Sequence, residues 1–289
     1  MKRWIMGVIC LMVSGFSLAA GPREVRKQVQ ATMLVTGSIT VTPDGSVNRY
    51  QVDHPEQLPA PVVSLISQNA PNWRFEPVMR GGQPVLAKAA MSLRVVATPT
   101  SDGNYLLSIA GSHFGAPASG KDPSGKRISV LHESAPRYPI NAAMARVSGT
   151  VYLVLRVTRD GVVDRSAAEQ VNLDMVASET EMQHWRDVLG NAARRAAMRW
   201  TFTPPTSGPE ATRSFWVVTV PTVFRLIRRG QPKAIEKYGA WHAYVPGPRN
   251  MPDWMMHEPG VGGSADAVAA GSTTEVGDGL RLTTPLNGA

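Results

Sequence analysis

The sequence predicts an α+β fold made of two ββαβ units, each a small antiparallel sheet with a helix packed on one face. Three observations carry this. An alternating apolar run that ends in Asp-Gly and restarts as a short strand occurs twice, at Gly37 to Val47 and at Gly149 to Val163. A stretch with helical spacing follows each of them. Each helix then runs into the same signature, Trp73, Phe75 and Pro77 in one copy and Trp200, Phe202 and Pro204 in the other. Self-similarity of this kind marks a repeated supersecondary unit.

Each element has a local reason. Asp44-Gly45 and Asp160-Gly161 sit between β-rich runs, which predicts tight hairpin turns with both central residues at positive φ. In the second copy Val151, Leu153, Leu155 and Val157 alternate onto one face. The first helix is expected at 59–69, where Val62, Val63, Leu65 and Ile66 share a side. The second is expected at 179–198, with Trp185, Val188, Leu189, Ala192, Ala193 and Ala196 facing inward. Arg186, Arg194, Arg195 and Arg199 are left for water. The aromatic pair, two residues apart, faces one side of an extended segment, and the following proline ends it. Gly81-Gly82 and Gly208 then turn the chain into long strands at 85–96 and 211–226. The aromatics Trp73, Phe75, Trp200 and Phe202 are expected in the cores.

This places one domain at 31–97, a linker at 98–134 and a second domain at 135–227. Residues 228–259 form an arm rich in proline, with Trp241, Tyr244 and Trp254, either folded back or docking a partner. The last stretch, 260–289, is small and polar and is expected to be disordered.

Residues 1–20 read as an export signal: Lys2 and Arg3, an apolar run from Trp4 to Val13, then small residues ending at Ala19 and Ala20. The competing reading is an uncleaved anchor over 4–20. The expected compartment is the periplasm. The single cysteine, Cys10, lies inside this segment, so no disulfide framework or cysteine-based zinc site is expected in the body.

Other motifs carry little. Gly120 to Lys126 has the spacing of a phosphate-binding loop, but Arg127 stands where a magnesium-binding hydroxyl belongs. Gly260 to Ala265 matches a dinucleotide fingerprint only in composition. None of the six histidines has another histidine at metal-site spacing. The formal charge of +8 is spread thinly. Arg194, Arg195, Arg199, Arg225, Arg228 and Arg229 read as solvated surface, with an acidic partner as the alternative. No catalytic centre, metal, cofactor or nucleic acid is expected.

The second unit resembles the C-terminal domain of TonB-type energy transducers. The matching residues are Tyr138-Pro139, Gly149 to Val151, Asp160-Gly161, Trp200 to Pro204, and Val220-Pro221 before Phe224. The first unit looks like a degenerate copy. The resemblance implies a protein-binding module that pairs a strand border with a short extended segment of a TonB-dependent outer-membrane receptor. It points to the last strand, with Arg213, Phe215, Val217, Thr219 and Phe224 as contacts and Tyr138 and Pro139 shaping their surroundings. Residues 4–20 lack His and acids, and only 20–30 precede the first unit. A periplasmic binding protein is therefore expected. The alternative is an inner-membrane-anchored transducer coupling to outer-membrane receptors, with membrane contact only through a retained 4–20 segment.

Overall fold

A computed structural model describes residues 21–116, 122, 124–226, 237–255 and 264–287. The expected export segment at 1–20, Arg228 and Arg229, and most of the Gly260 to Ala265 motif lie outside the described residues. Among the described residues no helix is long and apolar enough to cross a membrane.

The fold is α+β with antiparallel sheets. A short helix α1 (Pro22–Lys27) precedes β1 (Gln30–Val41) and β2 (Val47–Val52). Then come α2 (Ala60–Asn69), the small hairpin β3 (Met79–Arg80) and β4 (Gln83–Pro84), and the long strands β5 (Ala87–Pro99) and β6 (Tyr105–His113). In this sheet β1 pairs with β5 along its length and with β2 on its other side. β5 pairs on its far side with β6.

A second series follows: β7 (Ser129–His132), α3 (Ile140–Met144), β8 (Gly149–Thr158), β9 (Val163–Leu173), α4 (Glu179–Ala197), β10 (Thr201–Thr203) and β11 (Phe215–Phe224). β8 lies between β9 and β11. The C-terminal part adds β12 (His242–Tyr244) and β13 (Thr274–Glu275). β12 continues the first sheet beside β1, and β13 lies beside β11 in the second.

Sequence patterning explains the layers. Val151, Leu153, Leu155 and Val157 of β8 are fully buried with Leu189, Ala193 and Ala196 of α4. Burying each large aliphatic side chain contributes about 1.5–3 kcal/mol. α4 starts at a capping box, in which Ser178 and Glu181 satisfy each other's backbone N–H groups, an arrangement worth about 1 kcal/mol. In the first sheet Val35, Ile39, Leu93 and Val95 pack with Val62 and Ile66 of α2.

Both Trp-x-Phe segments are locked to a hairpin by the same contact. Phe75 donates its N–H to the Gly45 carbonyl at 2.9 Å, and Phe202 donates to the Gly161 carbonyl at 2.7 Å. Trp73 and Trp200 are each 1% exposed, and Phe75 and Phe202 are each 3% exposed.

Four expectations need correction, and one open alternative, that of the arm, is decided. The hairpins are not two-residue turns: Gly45 (φ 82°) and Gly161 (φ 75°) have positive φ, whereas Asp44 and Asp160 do not. Each is a three-residue loop closed by Thr42 N–H to the Ser46 carbonyl and by Thr158 N–H to the Val162 carbonyl, with glycine supplying the single left-handed residue. Residues 98–134 are more than a linker, because β6 pairs with β5 from Ser92↔His113 to Pro99↔Tyr105. Arg186 does not face water: its side chain is 4% exposed, bonded to Glu179 and to the Pro246 carbonyl. The arm crosses the helix there. That arm is folded back, with Tyr244 5% exposed in β12. Finally, 264–287 is not disordered. Asp266 and Glu275 are buried, and Leu280, Leu282 and Leu286 pack on the first core.

Candidate functional site

The expected contact strand is β11, with its outer edge over 213–224 expected to be exposed; that expectation needs correction, because β13 covers part of the edge and Val217 and Thr219 are buried. One side pairs with β8 over its full length of 10 residues, from Phe215↔Thr158 to Phe224↔Gly149. On the other, Val218 faces Glu275 and Thr219 faces Thr274, and Val276 donates its N–H to the Val217 carbonyl at 2.8 Å. Residues of one parity point their backbone groups to one side of a strand. Val217 and Thr219 therefore address β13, and Pro221 follows in the same parity. Proline has no N–H, so the ladder with β13 cannot run past it. The border offers a short two-rung seat.

The expected contact residues fall into two groups. Tyr138 and Phe224 touch edge to face, with ring centroids 5.5 Å apart. The Tyr138 hydroxyl donates to the Val147 carbonyl, and burial raises its pKa. Pro139 caps α3. Phe224 is 2% exposed and Tyr138 packs against the same core, so these two support β11 from the core side and do not line its outer edge. Arg213, Phe215, Val217 and Thr219 line the β13 seat. Arg213 lies 3.0 Å from Glu210 and 3.6 Å from Glu275. The Arg156 guanidinium stands 5.3 Å above the Phe215 ring. Val217 packs with Val154 and Met255 on the sheet face away from α4.

Thr274, Glu275 and Val276 escaped the sequence reading. Their signal is a β-favouring run, Thr273 to Val276, bracketed by Gly271 and Gly277.

Electrostatics make the seat conditional. Glu275 is 5% exposed. Burial, with the nearby Glu210 and Asp278 carboxylates, pushes its pKa up to about 7, opposed by Arg213 and a hydrogen bond from the Ile128 backbone. Once released into water, the group returns to the ordinary carboxylate range near 4.5. Between these values the seated form holds a proton that the released form lacks. Seating therefore weakens as pH rises from about 4.5 towards 7 and is level above that. Amide exchange at Val276, corrected for intrinsic rate, is expected to be at least about tenfold less protected at pH 7.5 than at pH 5. Glu275→Gln is expected to flatten the profile. A Val276 protection that does not change with pH would contradict this assignment.

Beside this border lies a cavity of about 620 Å³, lined by Thr219, Thr274, Glu275, Glu169, Arg249 and His113 among others. Glu169 is paired with Arg249, and burial raises its pKa. Burial lowers that of His113. Among the described residues no three His, Cys, Asp or Glu side chains converge as a metal site would require. In the glycine loop before β7, Asp122 accepts backbone N–H bonds from Ser124, Lys126 and Arg127. That is a local turn made by its own side chain.

No family model, no curated protein and no solved structure matches this chain.

Proposed function

We propose that this protein is a periplasmic protein-binding module of the TonB C-terminal type, built from two ββαβ units and working without a catalytic centre, metal or cofactor. It would serve TonB-dependent transport across the bacterial envelope by pairing its β11 border with an extended segment of an outer-membrane receptor. The observation that carries the reading is the asymmetry of β11, paired along 10 residues on one side and at two positions on the other. Backbone groups on such a border supply affinity, and flanking side chains supply choice.

The repeat is supported by contacts that recur at matching places. A Cβ on Gly37 would meet the Gln51 carbonyl at 2.2 Å, and one on Gly149 would meet the Asn172 carbonyl at 2.3 Å. A Cβ on the hairpin glycines Gly45 and Gly161 would likewise meet the carbonyl oxygens of Phe75 and Phe202 at 2.0 and 2.1 Å.

Thr219→Pro tests the function. Position 219 shares its parity with the native Pro221, so the change removes an outward N–H and spares the β8 ladder. The full chain is expected to capture synthetic segments from the periplasm-facing N-termini of TonB-dependent receptors, and the variant to capture them at least about tenfold less, the worth of one or two backbone hydrogen bonds. Undiminished capture by a folded Thr219→Pro chain, or no capture by either, would overturn the proposal.

A further inference from the structure

We infer that residues 272–278 are a built-in occupant of the β11 border, a pseudo-ligand that an incoming strand of like chemistry must displace. The inference rests on the strand-pairing function proposed above and adds what the border selects and what holds it closed.

The segment is seated through a short ladder. It contributes two paired positions and the Val276 to Val217 hydrogen bond. Gly271 before it, Gly277 near its end and Gly279 after it have φ of 77°, 91° and 96°, conformations that let the chain enter and leave the seat sharply. Glu275 is buried with two other carboxylates nearby.

Its two ends, in contrast, are anchored apart from the border. Before it, Ser92 Oγ donates to the Ala267 carbonyl at 2.6 Å, and Arg94 donates to the Asp266 carbonyl. After it, Leu280 donates its N–H to the Phe114 carbonyl at 2.7 Å, and the Asn287 side chain bonds both backbone groups of Ile109. Release therefore means a loop of modest length lifting between fixed ends. The tethered strand stays at high local concentration, which sets a threshold that a competitor must exceed.

The occupant also shows what the seat accepts. Thr274 lies opposite Thr219, and Val276 packs beside Val217 and Met255. Between them Glu275 aims its carboxylate at Arg213. The fitting partner is an extended segment with an uncharged hydrogen-bonding side chain, a glutamine or a protonated glutamate, facing Arg213, flanked by β-branched residues.

The test uses the full chain with Cys10→Ser and the pair Thr219→Cys and Thr274→Cys, which are Cα partners across the ladder. A fluorescent peptide of residues 270–280 is the probe. The reduced chain is expected to bind it, and the oxidised, locked chain to bind at least about tenfold more weakly, with recovery on reduction. Glu275→Lys, which sets like charges together at Arg213, is expected to unseat the tail and tighten peptide binding without any cysteine. Equal binding to locked and reduced chains, or no binding to both the reduced chain and Glu275→Lys, would overturn the inference. A receptor segment that fails to bind while the tail peptide behaves as expected would remove the receptor assignment alone. A receptor segment that binds locked and reduced chains equally would remove the pseudo-ligand alone.

Discussion

Trp200→Ala is expected to destabilise the protein by about 3–5 kcal/mol, the largest loss of any single substitution considered. The indole is 1% exposed and packs in the same core as Trp216, Phe202 and the inner face of α4. Its N–H donates to the Ser134 carbonyl at 2.9 Å, so truncation opens a cavity and also strips a backbone acceptor of its partner. The loss is a large fraction of a typical net stability and corresponds to a fall in melting temperature of roughly 10 °C or more. Urea denaturation measures it directly. Trp241→Ala is the control: that ring is 39% exposed, and surface substitutions usually change stability by about 0.5 kcal/mol or less. A Trp200→Ala loss below about 1 kcal/mol would mean that the second core is not closed by this side chain.

Gly161→Val is expected to cost about 3 kcal/mol or more, through a different mechanism. Gly161 has φ 75°, where a β-branched residue is a conformational outlier. A Cβ there would also lie 2.1 Å from the Phe202 carbonyl oxygen, and backbone cannot move aside as a flexible side chain can. The contact to be broken is the one that ties the hairpin to the Trp-x-Phe segment. Gly45→Val is expected to cost a similar amount, since its Cβ would lie 2.0 Å from the Phe75 carbonyl. Gly103 separates the two causes: its φ is 81°, but a Cβ there would meet nothing within 4 Å. Gly103→Ala should therefore cost about 1–2 kcal/mol, conformational strain alone. Equal losses at Gly103→Ala and Gly161→Ala in chemical denaturation would show that the Phe202 contact contributes nothing.

Much of the fold was legible because it rests on side-chain periodicity. The helices expected at 59–69 and 179–198 are Ala60–Asn69 and Glu179–Ala197, and the alternating core of β8 is buried as the pattern requires. Strand β6 was legible in principle and missed. Thr100, Asp102 and Gly103 repeat the Thr-x-Asp-Gly of residues 42–45 and 158–161, and the Thr100 N–H closes on the Asn104 carbonyl as in the other two loops.

The parts that stayed hidden depend on backbone and long-range contacts. β13 is held by main-chain groups, so a run rich in glycine, threonine and alanine reads as disorder even where it pairs. Val25 of α1 is fully buried in the second core, although β1, which follows it, belongs to the first sheet. No local pattern reports that. The expected contact residues were grouped by strand alone, and the structure divides them: Val217 and Thr219 address the border, whereas Tyr138 and Phe224 support it from the core side.

What lies against Val217 and Thr219 decides whether β11 binds by strand pairing. Residue-resolved amide exchange on the full chain, with and without a saturating receptor-derived segment, measures this most directly. The prediction is that protection rises at these two amides when the segment binds, while Thr274 and Val276 lose theirs. Binding that leaves all four unchanged and protects residues elsewhere would contradict it.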